Sequence, residues 1–376
     1  MGQSLSWFAT FESIGNSPRL LIEDRTEMNT VTAEDPTDLA AGDAAAETCA
    51  SASGTRAAGL DWWAYVEIAR PDHWFKNVFM LIGVVLAMFC QEGFFLSANI
   101  GKLFVGFVAT CIVASSNYVI NEILDAPMDR HHPVKRNRPI PSGRVSLPLA
   151  YVEWFLLGVL GLGLAATINV PFLATAAVLL FMGLVYNVPP IRTKQLPYLD
   201  VLSESVNNPL RLMLGWFAVT SRAVPPVSLV LSYFLIGAFF MASKRFAEYR
   251  SIGNKATAAA YRSSFHFYDD NRLLVSMFTY ACGSALFLGV FVIRYHLELI
   301  LLVPLIAVFF GYYLHVALKV NSAAQNPERL YRERGLMIYL AVCLVLFLVV
   351  MFVEIPWLYE MFNVTPSKAP ALWRFS

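Results

Sequence analysis

The chain has 376 residues, of which 57% are hydrophobic and 15% charged, with a mean hydropathy of +0.54. Soluble domains carry roughly 25% charged residues, so a soluble enzyme is excluded, and a disordered chain is excluded by the apolar content. The net charge of +1 conceals an asymmetry: residues 1–55 hold nine acids and two bases, so the remainder is basic, which suits anionic lipid headgroups, phosphorylated substrates or ordinary positive-inside bias alike.

Residues 1–57 show no basic lead into an apolar stretch and no helical stripe. They are expected to form a disordered acidic tail, and Met28 offers an alternative start. The membrane domain is expected over 58–376. Apolar runs fall at 78–97, 101–120, 150–168, 172–187, 206–220, 225–242, 273–293, 297–318 and 335–353, which predicts an all-α polytopic membrane protein with nine transmembrane helices. Trp62, Trp63 and Trp74 are expected as interfacial anchors. The five cysteines lack any metal spacing and are expected as small buried hydrophobes.

Loops 123–149, 189–209, 243–272 and 319–334 hold five, two, six and four Lys/Arg, and the alternate loops hold one or none. The positive-inside rule then predicts a cytoplasmic N-terminus, an outside C-terminus and a site opening on the cytoplasmic face of an inner membrane.

Asn121, Asp125 and Asp129 recur every four residues, which stacks them on one helix face. Like charges at that spacing repel unless a cation sits between them, and oxygen donors of this kind suit magnesium. Pro127 removes one backbone donor within the run and is expected to bend the helix. Lys135, Arg136 and Arg138 follow as candidate phosphate contacts. Asp200 and Glu204 repeat the four-residue spacing after the fourth span, preceded by Arg192 and Lys194 and followed by Arg211. Two such pairs facing each other could clamp one pyrophosphate through paired metals. Lys76, Asn77, Lys244 and Arg245 are further candidates, equally explained as snorkelling or positive-inside residues. His131, His132 and His266 are expected as plain loop residues.

The N-x3-D-x3-D element with its following RPxxSG stretch (Arg138–Gly143) resembles the UbiA superfamily of intramembrane prenyltransferases. Arg70-Pro-Asp-His-Trp-Phe-Lys76-Asn77, the HPxKRxRPI run and Lys244-Arg-Phe-Ala-Glu248 look like its decaprenyl-phosphate phosphoribosyltransferase branch. The resemblance covers about residues 65–355 and implies nine helices around a central cavity. It implies magnesium held by Asn121, Asp125, Asp129, Asp200 and Glu204, with Asp125, Asp129, Asp200 and Glu204 as the catalytic acids. It also implies phosphoribosyl pyrophosphate as donor and a polyprenyl phosphate lipid as acceptor. Glu122 stands where the family usually has Asp, and Ser203–Arg211 is more polar than the family's segment. Two rivals remain: a prenyltransferase with a polyprenyl pyrophosphate donor and an aromatic or other small acceptor, and an anionic-solute transporter. Nucleic acid is not an expected partner.

Overall fold

The computed structural model describes residues 61–90, 96–130, 135–319, 322–325, 330 and 332–365. The tail 1–57, His131 and His132 lie outside them. All regular elements among the described residues are helices. In chain order they are α1 (Trp62–Ile68), a 3-10 segment (Pro71–Phe79), α2 (Met80–Cys90), α3 (Leu96–Asp129), α4 (Leu147–Ala166) and α5 (Val170–Asn187). There follow α6 (Leu199–Ser205), α7 (Asn207–Val219), α8 (Val227–Ile252), α9 (Lys255–Tyr261), α10 (Asp270–Tyr295), α11 (Val303–Leu318), α12 (Arg334–Val350) and α13 (Pro356–Met361).

Among the described residues, seven stretches are long and apolar enough to cross a membrane: 62–89, 100–129, 147–166, 170–187, 227–252, 270–295 and 297–318. The protein is an integral membrane protein. The fifth and ninth expected spans are shorter helices here, α7 at 13 residues and α12 at 17. Large apolar side chains cover the outer faces, among them Phe155 and Leu156 on α4 and Val275 and Phe278 on α10. Outward apolar faces are what a lipid solvent allows, because backbone groups are satisfied inside each helix.

Helix α3 is the hub. It packs on α4, α5 and α7, and 56% of its apolar window is buried, against 22% for α4. It stays helical well beyond its apolar run, through Pro127 to Asp129, so Asn121, Asp125 and Asp129 do share one face. Helices α2 and α7 meet backbone to backbone. A Cβ on Gly83 would strike the Leu212 carbonyl, and one on Gly215 would strike that of Met80. Small residues at such a crossing let helices approach where lipid offers no hydrophobic drive. Buried Phe172, Leu212, Leu214 and Trp216 form one core, and Phe239, Phe246, Phe265 and Tyr268 a second.

Trp62 and Trp63 are exposed, as interfacial anchors would be. Trp74 is not of that kind, because its indole N–H donates to Ser115 Oγ at 2.9 Å and ties the 3-10 segment to α3. Cys111 is buried, whereas Cys282 is exposed on α10, against expectation. At the end of the bundle remote from the acids, buried Glu298 pairs with His296 at 3.2 Å and accepts from Tyr359 Oη at 3.0 Å, holding α13 in place.

Candidate active site

Each acid pair has its own set of bases, and the two sets adjoin where Lys135 of the first lies over Tyr261 and Arg262 of the second donates to Asp200. Asp125 Oδ1 accepts from Lys194 Nζ at 2.6 Å and from Arg192 Nη2 at 2.9 Å. Asp129 accepts from Arg138 Nη1 at 2.7 Å, with Lys135 Nζ at 3.9 Å. Lys135 also lies 5.1 Å over the ring of Tyr261, a cation–π position. The first pair is thus bound to bases from both the α3–α4 and the α5–α6 connections. Lys194 donates as well to Asn187 Oδ1 at 2.9 Å. Burial pushes its ammonium down to about 8, and the Asp125 charge restores only part of that loss.

The second pair shares one arginine. Asp200 is fully buried and accepts four bonds: from Tyr268 Oη at 2.6 Å, Arg245 Nε at 3.1 Å, Ser264 Oγ at 3.2 Å and Arg262 Nη1 at 3.3 Å. Glu204 Oε2 accepts from Arg245 Nη2 at 3.0 Å and Tyr186 Oη at 3.1 Å. Arg245 spends its third arm on Glu248 at 2.8 Å. One guanidinium, 1% exposed, therefore serves three carboxylates. Such a fork is a task for arginine, whose planar donors match carboxylate geometry.

Arg245 was a candidate donor contact, and every nitrogen of it is engaged by protein. Lys244 lies near enough to Glu204 and Glu248 to act on them electrostatically. Arg136 is exposed on the turn Lys135–Asn137. Lys76 sits beside His73, its Nζ 3.3 Å from the ring nitrogen. Asn77 and Arg211 find each other, Arg211 Nε donating to Asn77 Oδ1 at 2.9 Å. Glu122 does not join the acid face: it is buried and accepts the Ile140 N–H at 3.2 Å, pinning the Arg138–Gly143 segment against α3.

Sequence reasoning missed Tyr186, Arg262, Ser264 and Tyr268. Arg262 counted only as part of a basic loop, and nothing in its spacing signals that it closes on an acid 62 residues earlier.

A hard divalent cation takes oxygen donors. Asp125 Oδ2 and Glu204 Oε1 carry no hydrogen bond, Asp129 Oδ1 has only the distant lysine, and the Asn121 amide is unpaired among the described residues. That donor chemistry fits magnesium. Asp200 differs, having both oxygens taken. No group of three His, Cys, Asp or Glu side chains stands ready as a metal cage among the described residues.

Comparison with known proteins agrees with this geometry. The model of the UbiA prenyltransferase family matches residues 78–339. A decaprenyl-phosphate phosphoribosyltransferase of Corynebacterium glutamicum is 32% identical over 206 residues, 54% of this chain and 59% of that protein. The protein of the same name from Mycolicibacterium smegmatis is 30% identical over 209 residues, 55% of this chain and 63% of that one. The chain thus spans about three-fifths of the length of these curated relatives. Among solved structures, a UbiA homolog from Archaeoglobus fulgidus bound to GPP and Mg2+ shares the fold with a TM-score of 0.59 at 20% identity, over 77% of this chain and 100% of that one. The acid motif on α3, the helical bundle and the match across most of the membrane portion lead to one conclusion: this chain belongs to the UbiA prenyltransferase family.

Proposed function

We propose that the protein transfers a 5-phosphoribosyl group from phosphoribosyl pyrophosphate to a polyprenyl phosphate, releasing pyrophosphate. The observation that carries this reading is the charge of the polar layer. Lys135, Arg138, Arg192, Lys194, Lys244, Arg245 and Arg262 outnumber Asp125, Asp129, Asp200, Glu204 and Glu248. A surplus of bases beside exchangeable acids suits a donor carrying a pyrophosphate and a further phosphate. The relatives named decaprenyl-phosphate phosphoribosyltransferase support the same donor and a lipid phosphate acceptor.

In the step itself, an acceptor phosphate oxygen forms a bond to ribose C1. The bond from C1 to the pyrophosphate oxygen breaks, and its electron pair leaves with pyrophosphate. The acceptor is anionic at neutral pH, so no general base is needed. Magnesium held by Asn121, Asp125, Asp129 and Glu204 would neutralise the departing pyrophosphate. Arg192, Lys194 and Arg138 turn from the acids to the phosphate oxygens, where charge develops. Asp200, expected as a fourth carboxylate ligand, holds Arg245 and Arg262 in place through its four bonds and reaches a metal only by exchanging them. In this reading α7 with α6, and α12, complete nine spans. The acid layer faces the cytoplasm of an inner membrane, where a water-soluble donor arrives.

The test is direct. Purified full chain with magnesium, labelled phosphoribosyl pyrophosphate and polyprenyl phosphate should yield a labelled lipid and pyrophosphate. Product from a prenyl pyrophosphate and an aromatic acceptor, with none from the ribosyl donor, would replace this reading by that of a prenyltransferase.

A further inference from the structure

Arg211 is a charged side chain within the helical bundle that makes no ion pair among the described residues. Its Nε is bonded to Asn77, and its two terminal nitrogens make no hydrogen bond among the described residues. They are not sealed in protein either, since they are absent from the buried atoms that lack partners. The surroundings are neutral. Tyr118 of α3 and Tyr233 of α8 lie close enough to feel its charge, as does Cys111 of α3. Asn77 is 1% exposed and wholly committed, its oxygen to Arg211 and its nitrogen to Cys111 Sγ at 3.3 Å. The glycine contact between α2 and α7 brings the 3-10 segment that carries Asn77 and leads into α2 towards α7, which carries Arg211. The Asn207 amide, four residues before Arg211 and on the same helix face, has no hydrogen bond and buries its oxygen.

An unpaired guanidinium at membrane depth is costly, and such residues mark a ligand or ion path. Here the two free donors form a fork that fits phosphate oxygens. Depth decides which phosphate. Glu204 ends α6 and Arg211 lies in α7, seven residues on and across the single intervening residue Val206, which amounts to roughly 10 Å of rise at about 1.5 Å per residue. Tyr118 of α3 lies within electrostatic reach of both groups. A departing pyrophosphate held at the acid layer must have the attacking oxygen on the opposite side of ribose C1. That side is the deeper one, where an apolar chain can remain among the helices.

We propose that Arg211, oriented by Asn77, binds the phosphate headgroup of the lipid acceptor, at a position separate from the pyrophosphate site. Arg211 touches the substrate, and Asn77 is a positioning residue. The assignment rests on the acceptor half of the proposed function and is independent of the donor.

Thermal protection of the full chain in detergent tests it, with polyprenyl phosphate against the uncharged polyprenol as probes. The unmodified chain should prefer the phosphate by about ten- to a hundredfold in apparent affinity. Arg211→Gln should abolish the preference while keeping the affinity for polyprenol, which shows that it is folded. Arg211→Lys should retain part of the preference. Asn77→Ala should raise the KM for the lipid phosphate more than it lowers kcat, and leave the KM for the donor unchanged. An Arg211→Gln protein that still prefers the phosphate, or a defect against the donor alone, overturns the assignment. A chain that shows the preference yet makes no product from phosphoribosyl pyrophosphate removes the donor reading and leaves this one standing.

Discussion

The two acid pairs share one spacing but not one degree of engagement. Asp125 and Asp129 end a long helix, with side chains 24% and 7% exposed. Their partners are loop bases that bond one oxygen and leave another open. Asp200 has no exposure and four donors, and Arg245 locks it to Glu204 and Glu248. The contrast therefore lies between Asp200, a fixed electrostatic anchor, and Asp125, Asp129 and Glu204, each of which keeps an oxygen open to a ligand. Pairing makes the difference rather than exposure, since Asp129 is buried and the Glu204 side chain is 29% exposed: a carboxylate with both oxygens engaged is fixed, whereas one with a free oxygen can take a ligand.

The contrast is broken most severely at Arg245. Arg245→Ala would take a charged donor from three carboxylates, one of them fully buried, and should cost about 3–5 kcal/mol of stability. Thermal unfolding in detergent should register it even without substrate. A stable Arg245→Ala protein would show that water reaches the frame and that the two pairs are alike.

Asp125→Asn and Asp129→Asn should behave differently. Each should lower turnover by on the order of a hundredfold or more, with a stability loss of about 1–3 kcal/mol, smaller than at Arg245, because the bases left behind keep other partners, as buried Lys194 keeps Asn187 Oδ1. Full turnover with ordinary magnesium dependence in Asp125→Asn would remove the first pair from the site. Asp200→Asn should combine both defects, and a loss of turnover with no larger loss of stability would make Asp200 a ligand of the same kind as Asp125.

The exchangeable side should also respond to pH through Lys194. Its ammonium is pushed down to about 8, so it is charged below that pH and loses one positive charge as pH rises through it. Donor kcat/KM, which reports the free enzyme, should fall above pH 8 by up to about tenfold per unit. Lys194→Arg keeps its charge, so the decline should shift well upward. An identical profile in Lys194→Arg would detach this lysine from donor binding.

The smallest effect is expected at Glu122→Asp. By side-chain class alone the exchange should be silent, since both are carboxylates and the family commonly has Asp. The Glu122 carboxyl, however, meets the Ile140 N–H, and a shorter side chain loses that reach. A stability loss of about 0.5–1.5 kcal/mol with turnover nearly intact is expected. A change in magnesium dependence instead would place Glu122 among the metal ligands.

Much of this protein is decided locally. Length and hydropathy required a helical bundle in lipid, because only structures that satisfy their own backbone can span it. The four-residue spacing put Asn121, Asp125 and Asp129 on one face, and the basic run beside them marked the family. Partners distant in the chain were not decided there. Tyr268 reaches Asp200 across 68 residues, and Arg211 reaches Asn77 across 134. Spacing within a helix cannot encode such meetings. They follow from which helices pack, through contacts as particular as Gly83 against Leu212 and Gly215 against Met80. The tertiary structure also decided which charges are fixed and which remain exchangeable, because that depends on how much of each carboxylate its neighbours cover. The sequence names the acids and bases, and packing assigns each its dielectric surroundings and its partner.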